Sequence, residues 1–224
     1  MTRPAAIITT GPASAPIDEV RRITNFATGE IGALLAQALL SGGWEVFFCR
    51  GKGATHNEVP QGARLLEFTT NQDLVRILEE LSETRGTGIA AIFHAAALSD
   101  YAVTSVRGPR GTISGAQKIP GDLVEVNIVL ESTAKILPHL RGWFPHARIT
   151  GWKYELEGTR EDAIGAAGAQ LAQGHADAAV VNGGAYGPGF GVLEGANPPV
   201  HLATKRELAD FLASRAAASA KAHE

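Results

Sequence analysis

Apolar residues in this chain fall into short runs separated by stretches with helical spacing, and the two patterns alternate. Ala5-Ala6-Ile7-Ile8-Thr9-Thr10 is an unbroken run, as expected of a strand buried on both faces. Similar runs predict strands over residues 45–49, 63–68, 89–94, 148–152, 177–182 and 200–203. Helical spacing predicts helices over residues 29–40, from Asn71 onward, over 133–140, 160–173 and 205–215. In the second of these, Leu74, Ile77, Leu78 and Leu81 form the apolar stripe, and Thr70 or Asn71 is the expected N-cap. Pro138 sits awkwardly inside the third, and the Ala-rich tail beyond Arg215 is expected to fray. The alternation predicts an α/β fold: a doubly wound, mostly parallel Rossmann-like sheet in a single domain over residues 1–224.

Two stretches break the pattern. Residues 11–28 separate the first strand from the first helix, far more than the ~2–6 residues of an ordinary βα turn. Their end, Thr24-Asn25-Phe26-Ala27-Thr28-Gly29, sets Asn, Thr and Gly ahead of a helix, where unpaired N–H groups and the dipole favour an anion. Residues 102–131 read as a β-arm inserted into the fold. Extended segments are expected over 112–118 and 122–130, with a turn at Pro120-Gly121 and no regular structure over 107–111. Leu123, Val124, Val126, Ile128 and Leu130 give the arm more apolar surface than it can cover alone, which suggests pairing across a two-fold axis.

Composition narrows the class. With 224 residues, 45% hydrophobic and 19% charged, the chain can bury a full core. One cysteine, Cys49, excludes an internal disulfide framework and suits a reducing compartment. No apolar run reaches the ~18 residues of a membrane span, and the opening leads straight into the first strand, so a cytoplasmic protein is expected. A net charge of −3 gives no electrostatic reason to expect nucleic acid.

The chemistry-bearing residues cluster after the predicted carboxyl ends of strands: Asn25, Arg50, Ser99-Asp100, Lys153 and Asn182. The small residues Ala95-Ala96-Ala97 would let a flat group lie against backbone. Several activities lack their residues. After the first strand the chain reads Thr10-Gly11-Pro12-Ala13-Ser14-Ala15, without the G-x-G-x-x-G of dinucleotide sites, and the second strand ends in Arg50 rather than an acid. None of Tyr101, Tyr154 and Tyr186 has a Lys four residues on. Neither a P-loop nor a G-x-S-x-G is present, and the His residues show no metal-ligand spacing. Arg50 and Lys52 are open to two readings, solvated loop charge or phosphate contacts.

The run Ala15-Pro16-Ile17-Asp18-Glu19-Val20-Arg21-Arg22-Ile23-Thr24-Asn25-Phe26-Ala27-Thr28-Gly29-Glu30-Ile31-Gly32 resembles the opening of phosphopantothenoylcysteine synthetases in their stand-alone form. The resemblance continues at His94-Ala-Ala-Ala-Leu-Ser-Asp-Tyr101, Gln117-Lys118-Ile119, Leu130-Glu-Ser-Thr-Ala-Lys-Ile-Leu137, Gly151-Trp152-Lys153-Tyr154-Glu155 and Ala203-Thr204-Lys205-Arg206-Glu207. The chain departs from the family pattern at Pro12, Ala13, Ala15, Glu30, Pro120 and Gly183-Gly184.

The resemblance implies a ligase that activates 4′-phosphopantothenate with CTP (or ATP) and Mg²⁺ as an acyl-nucleotide, then lets the amine of cysteine displace the nucleotide. It casts Asn25 as holder of the acyl intermediate and its oxyanion, and Lys118 as the cation that neutralises the phosphates. It places Gly11, Ala95, Ala96, Asp100, Trp152, Lys153 and Asn182 on the nucleotide, and Arg22, Thr28 and Gly29 on the substrate. It also implies a homodimer with Lys118 near the interface. Each residue has a plainer reading: Asn25 as an N-cap or Asx-turn, Lys118 as a solvated hairpin lysine, Asp100 as a strand-end cap, Trp152 as core, Asn182 as a turn. Two other functions stay open, a nucleotide-binding relative without ligase activity and an NADP-binding reductase using Arg50 and Lys52 on the 2′-phosphate.

Overall fold

The computed structural model describes residues 3–113 and 118–222. In chain order the elements are β1 (Ala5–Thr10), β2 (Ser14–Pro16), β3 (Arg22–Thr24), α1 (Glu30–Ser41), β4 (Glu45–Gly51), β5 (Arg64–Phe68) and α2 (Asn71–Arg85). Then come β6 (Ile89–His94), β7 (Tyr101–Gly108), β8 (Gly111–Ile113), β9 (Asn127–Ser132), α3 (Leu137–Trp143) and β10 (Arg148–Tyr154). The chain closes with α4 (Arg160–Ala172), β11 (Ala178–Asn182), β12 (Phe190–Glu194), β13 (Val200–Leu202) and α5 (Lys205–Ala222).

An eight-stranded sheet in the order β13-β12-β11-β10-β6-β1-β4-β5 forms the middle layer. Its strands are parallel from β5 to β11, and β12 and β13 add an antiparallel edge. β1 is central and wholly buried, because its two faces feed two cores. Ala6 and Ile8 pack with Phe48, Phe93 and the α1 and α5 residues Leu35, Leu39 and Leu212. Ala5 and Ile7 pack with Phe47, Leu74, Leu78 and Leu140 beneath α2 and α3. α4 covers Ala179 and Val181 of β11. Cys49 lies in the second core, where burial pushes its thiol up to about 12, so it behaves as a small apolar side chain.

Gly32 brings α1 close to β1. A Cβ there would lie 2.4 Å from the Thr10 side chain, so no larger residue fits without moving the helix.

The departures from sequence expectation have local causes. The long first connection carries a hairpin, β2 against β3, rather than plain loop. α3 begins at Leu137, which moves Pro138 into the first turn, where its missing N–H costs nothing. β12 begins at the end of the glycine-rich stretch 183–191, which reads as loop, and buries Phe190, Val192 and Leu193. The Ala-rich tail continues α5 to Ala222, because alanine favours helix and Ala209, Leu212 and Ala216 pack against α1.

The arm needs the largest correction. It is a three-stranded sheet in the order β8-β7-β9, so 107–108 and 111 are strand and the hairpin turn is Pro109-Arg110; the chain also turns at 121–122, beside the expected Pro120-Gly121, without joining two paired strands there. Residues 122–126 leave the sheet. Gln117 and most of the expected 112–118 strand lie outside the described residues. Cross-strand pairing sets Val103 beside Leu130 and Val106 beside both Ile113 and Ile128, giving one apolar face. Val106 is buried, while Ile128 and Leu130 stay exposed.

Two glycine substitutions should move stability in opposite directions in urea denaturation. Gly32→Ala should cost about 1–3 kcal/mol through overpacking against Thr10. Gly165→Ala in α4, where nothing lies within 4 Å of the new Cβ, should add about 0.5–1 kcal/mol of helix propensity.

Candidate active site

The strand order reverses beside β1, so the carboxyl ends of β1 and β6 mark the place where an open α/β sheet takes a ligand. Here that gap is laced by backbone hydrogen bonds. Ala95 N donates to Thr9 O (3.0 Å), Ala97 N to Gly11 O (3.0 Å) and Ala13 N to Ala97 O (3.0 Å). The chain leaving β1 therefore runs beside residues 95–97 instead of turning at once into α1. Thr9 Oγ1 accepts from Ala96 N (3.3 Å) and lies 2.8 Å from His94 Nδ1. Burial pushes His94 down to about 4, so the ring is neutral near pH 7.

Asn25 sits on this floor. Its Nδ2 donates to the carbonyls of Leu98 (2.9 Å) and Ala97 (3.3 Å), which leaves Oδ1 as the remaining polar atom of the amide. The N-cap reading is thereby excluded: the residue at the head of α1 is Gly29 at φ 85°, with no side-chain cap. Thr24 Oγ1 donates to Ala13 O (3.0 Å) and steadies the approach. From the other side, Asn71 donates to Ser99 O (2.7 Å) and accepts from Ser99 N (3.1 Å), while Thr70 takes the N-cap of α2 in a capping box with Asp73. Two asparagines thus clamp residues 97–99.

The other expected residues surround this floor. Gly11 (φ 75°) and Gly29 both face Ala54, and Thr28 accepts from Glu30 N through Oγ1 and from His56 N through its carbonyl. Glu30, a departure from the family pattern, pairs with Lys205 at the head of α5. Asp100 is exposed and pairs with Lys135. Trp152 is half-buried against the core shared with Phe93 and Val180, while Lys153 pairs with Glu155 at 2.9 Å. The Asn182 carbonyl accepts from Glu155 N (3.0 Å). Gly183 follows at φ 118°, where a Cβ would lie 2.2 Å from Glu155 O, so this departure lets the two loops pack. Arg22 is exposed on β3. Arg50 is tied to Glu67 (2.9 Å) and to Asn57 O (3.2 Å), the arrangement of a structural ion pair rather than a waiting phosphate contact, and Lys52 is exposed.

Comparison with known proteins assigns this arrangement to a family. The pattern described as the DNA/pantothenate metabolism flavoprotein C-terminal domain matches residues 1–218. The chain belongs to that family. The Coenzyme A biosynthesis bifunctional protein CoaBC of Thermococcus kodakarensis is 29% identical over 176 residues, covering 79% of this chain. The chain spans 40% of that relative's length. The crystal structure of the DNA/pantothenate metabolism flavoprotein from Streptococcus pneumoniae is 25% identical with a TM-score of 0.81, covering 95% of this chain and 98% of its own. A Cab2 variant in complex with phosphopantothenate-cysteine shares the fold at 18% identity and a TM-score of 0.71, covering 97% of this chain and 88% of its own.

Within this family domain, Lys118 is exposed and the next residue, Ile119, is buried. Asp18 binds the backbone of Ile119, and that hydrogen bond holds the Asp18 carboxyl below its usual range. Asp18 and Arg21 lie inside the motif that opens the family resemblance, with no role of their own legible there. An Asp three residues before an Arg, in a loop, was the available signal. His94 and Thr9 have no local signal because their partners lie far away in sequence, and Asn71 holds Ser99 while Thr70 takes the cap.

Among the described residues no group of three or more His, Cys, Asp or Glu side chains could hold a metal ion, and no helix is long and apolar enough to cross a membrane.

The buried His94 predicts a pH effect. Its native pKa of about 4 is below the ordinary 6.5, so the unfolded chain binds the extra proton between those values. The stability it contributes is fully present above pH 6.5 and is lost as pH falls toward 4, by roughly 3 kcal/mol in all. In urea titrations from pH 7 to 4.5, His94→Gln should lose stability less steeply than the wild type.

Proposed function

We propose that the chain is a phosphopantothenate–cysteine ligase domain of coenzyme A biosynthesis. The observation that carries this reading is the Asn25 clamp on the Ala97 and Leu98 carbonyls, at the strand-end floor of a domain matched to its family over residues 1–218. The product named in the Cab2 complex supports the substrate class.

In the first half-reaction the carboxylate of 4′-phosphopantothenate attacks the α-phosphorus of a nucleoside triphosphate, and pyrophosphate leaves. Charge accumulates on phosphate oxygens, and Lys118 offsets it. At the head of α1, Gly29 supplies no side-chain cap and Thr28 Oγ1 takes only the Glu30 N–H, so the helix dipole there favours an anionic group of the substrate next to Thr28 and Gly29. Gly11, Ala95 and Ala96 form the floor under the nucleotide, bordered by Trp152, Lys153 and Asn182, and Asp100 meets the ribose in exchange for Lys135. Mg²⁺ would be held by the triphosphate itself and would offset part of its negative charge. We favour CTP, because the small residues Ala95, Ala96 and Ala97 let a flat pyrimidine lie over the closed backbone floor.

In the second half-reaction the cysteine amine attacks the acyl carbonyl, an amide forms, the nucleoside monophosphate leaves and the amine gives up a proton. Asn25 already spends its N–H₂ on two carbonyls, so its part is to hold residues 97–98 in place and offer Oδ1 as an acceptor to the incoming amine. That replaces the oxyanion-donor role expected from sequence. Of the two cations that the reductase alternative would use, Arg50 is committed to Glu67 and Asn57, which disfavours that reading.

Single-turnover mass analysis of nucleotide species, with and without cysteine and with CTP and ATP in parallel, tests the roles. Lys118→Ala should release almost no pyrophosphate, a loss of ~10²–10³ in rate. Asn25→Asp cannot donate to the two carbonyls, so it should still release pyrophosphate but accumulate the acyl-nucleotide. Both variants stopping at the same step, or faster turnover with ATP, would contradict these assignments.

We also propose a homodimer formed through the exposed Ile128 and Leu130 of the arm, with Lys118 nearby. In sedimentation at micromolar concentration the wild type should be dimeric and the double variant Ile128→Lys/Leu130→Lys monomeric.

A further inference from the structure

Asp18 plays no part in the chemistry above, yet its side chain is only 1% exposed. It sits in the short connection between β2 and β3, and four donors converge on its carboxylate. Oδ1 accepts from Val20 N (2.9 Å) and Arg21 N (2.7 Å), while Oδ2 accepts from Arg21 Nη1 (2.8 Å) and Ile119 N (3.0 Å). Arg21 Nη1 also donates to Ile119 O (3.3 Å). One ion pair therefore grips both backbone groups of a residue 101 positions away in the chain, much as a neighbouring strand would. The grip falls where no strand pairing is available, because residues 118–126 belong to no strand. Ile119 itself is buried, so this segment is held by its side chain and by the Asp18–Arg21 pair together.

We infer that the Asp18–Arg21 pair is a positioning device that sets Lys118, the residue before Ile119, in register with Asn25 at the end of the same hairpin. This rests on the reading of Lys118 as the activating cation. A carboxylate suits the task because it offers two acceptor oxygens to four donors. An amide would turn an N–H₂ toward one pair of those donors and break half the grip. The hairpin thus carries Asn25 for the second half-reaction and, through Asp18, places Lys118 for the first. A shift of about 1 Å at Lys118 would be enough to slow activation.

Two measurements on the full chain separate this proposal from the ligase reading. In Asp18→Asn, hydrogen exchange should show the Ile119 amide losing protection while β1 and β6 amides keep theirs, a result that needs no activity. In single turnover, the same variant should release pyrophosphate ~10–100-fold more slowly, yet convert supplied acyl-nucleotide and cysteine to product at the wild-type rate. Asp18→Asn combined with Lys118→Ala should be no slower in activation than Lys118→Ala alone. Should Asp18→Asn fail to fold, Arg21→Ala, which keeps the three backbone donors, should show the same step selectivity at smaller size. Unchanged Ile119 protection, or additive losses in the double variant, would overturn the inference. Absence of pyrophosphate release from the wild type would instead remove the ligase reading and leave the exchange result to decide the tether.

Discussion

The structure depends on a requirement that backbone groups be paired where β1 and β6 end. A parallel sheet normally opens at its switch point, leaving N–H and C=O groups for a ligand. In this chain residues 11–13 continue beside residues 95–97, and their own hydrogen bonds close the gap. The floor of the site is therefore protein backbone already satisfied, and a ligand must lie over it. The Thr9 hydroxyl and the His94 ring, both buried, finish the pairing from below.

From that closure follows the length of the first connection. A chain committed to pairing with residues 95–97 cannot enter α1 directly, and the β2–β3 hairpin brings it back. The return path delivers Asn25 onto the carbonyls of Ala97 and Leu98, and the hairpin's tip delivers Asp18 and Arg21 to Ile119. A departure from ordinary βα geometry thus assembles three separate pieces of chain. Small residues make the assembly compact: Gly32 admits α1 against Thr10, and Gly183 admits the 155–156 loop beside β11.

The electrostatics are local. Acids and bases around the floor are mostly paired: Glu30 with Lys205, Asp100 with Lys135, Lys153 with Glu155, Arg50 with Glu67. The first three pairs are substantially exposed and contribute little to stability, so ligand groups can exchange with them at small cost. Asp18 differs because it is enclosed and bound by backbone donors, which makes it a fixed part of the frame.

The sequence by itself determined the parallel core and the location of the candidate site. Unbroken runs such as Ala5–Thr10 are stable only with both faces covered, and the spacing of Leu74, Leu78 and Leu81 admits one docking face. Asp100, Lys153 and Asn182 were legible for the same reason, since each lies at or beyond the carboxyl end of a strand whose direction the alternation had set, while Asn25 was legible from its place ahead of the first helix. What only the tertiary structure decided were contacts with no local signal. The arm's register, the burial of β12 and the partners of Asn25, His94 and Asp18 depend on residues tens of positions apart. Side-chain polarity alone could assign Asn25 to a cap or to a substrate. Its two backbone carbonyls belong to another strand's end, and only closure of the fold puts them within 3.3 Å.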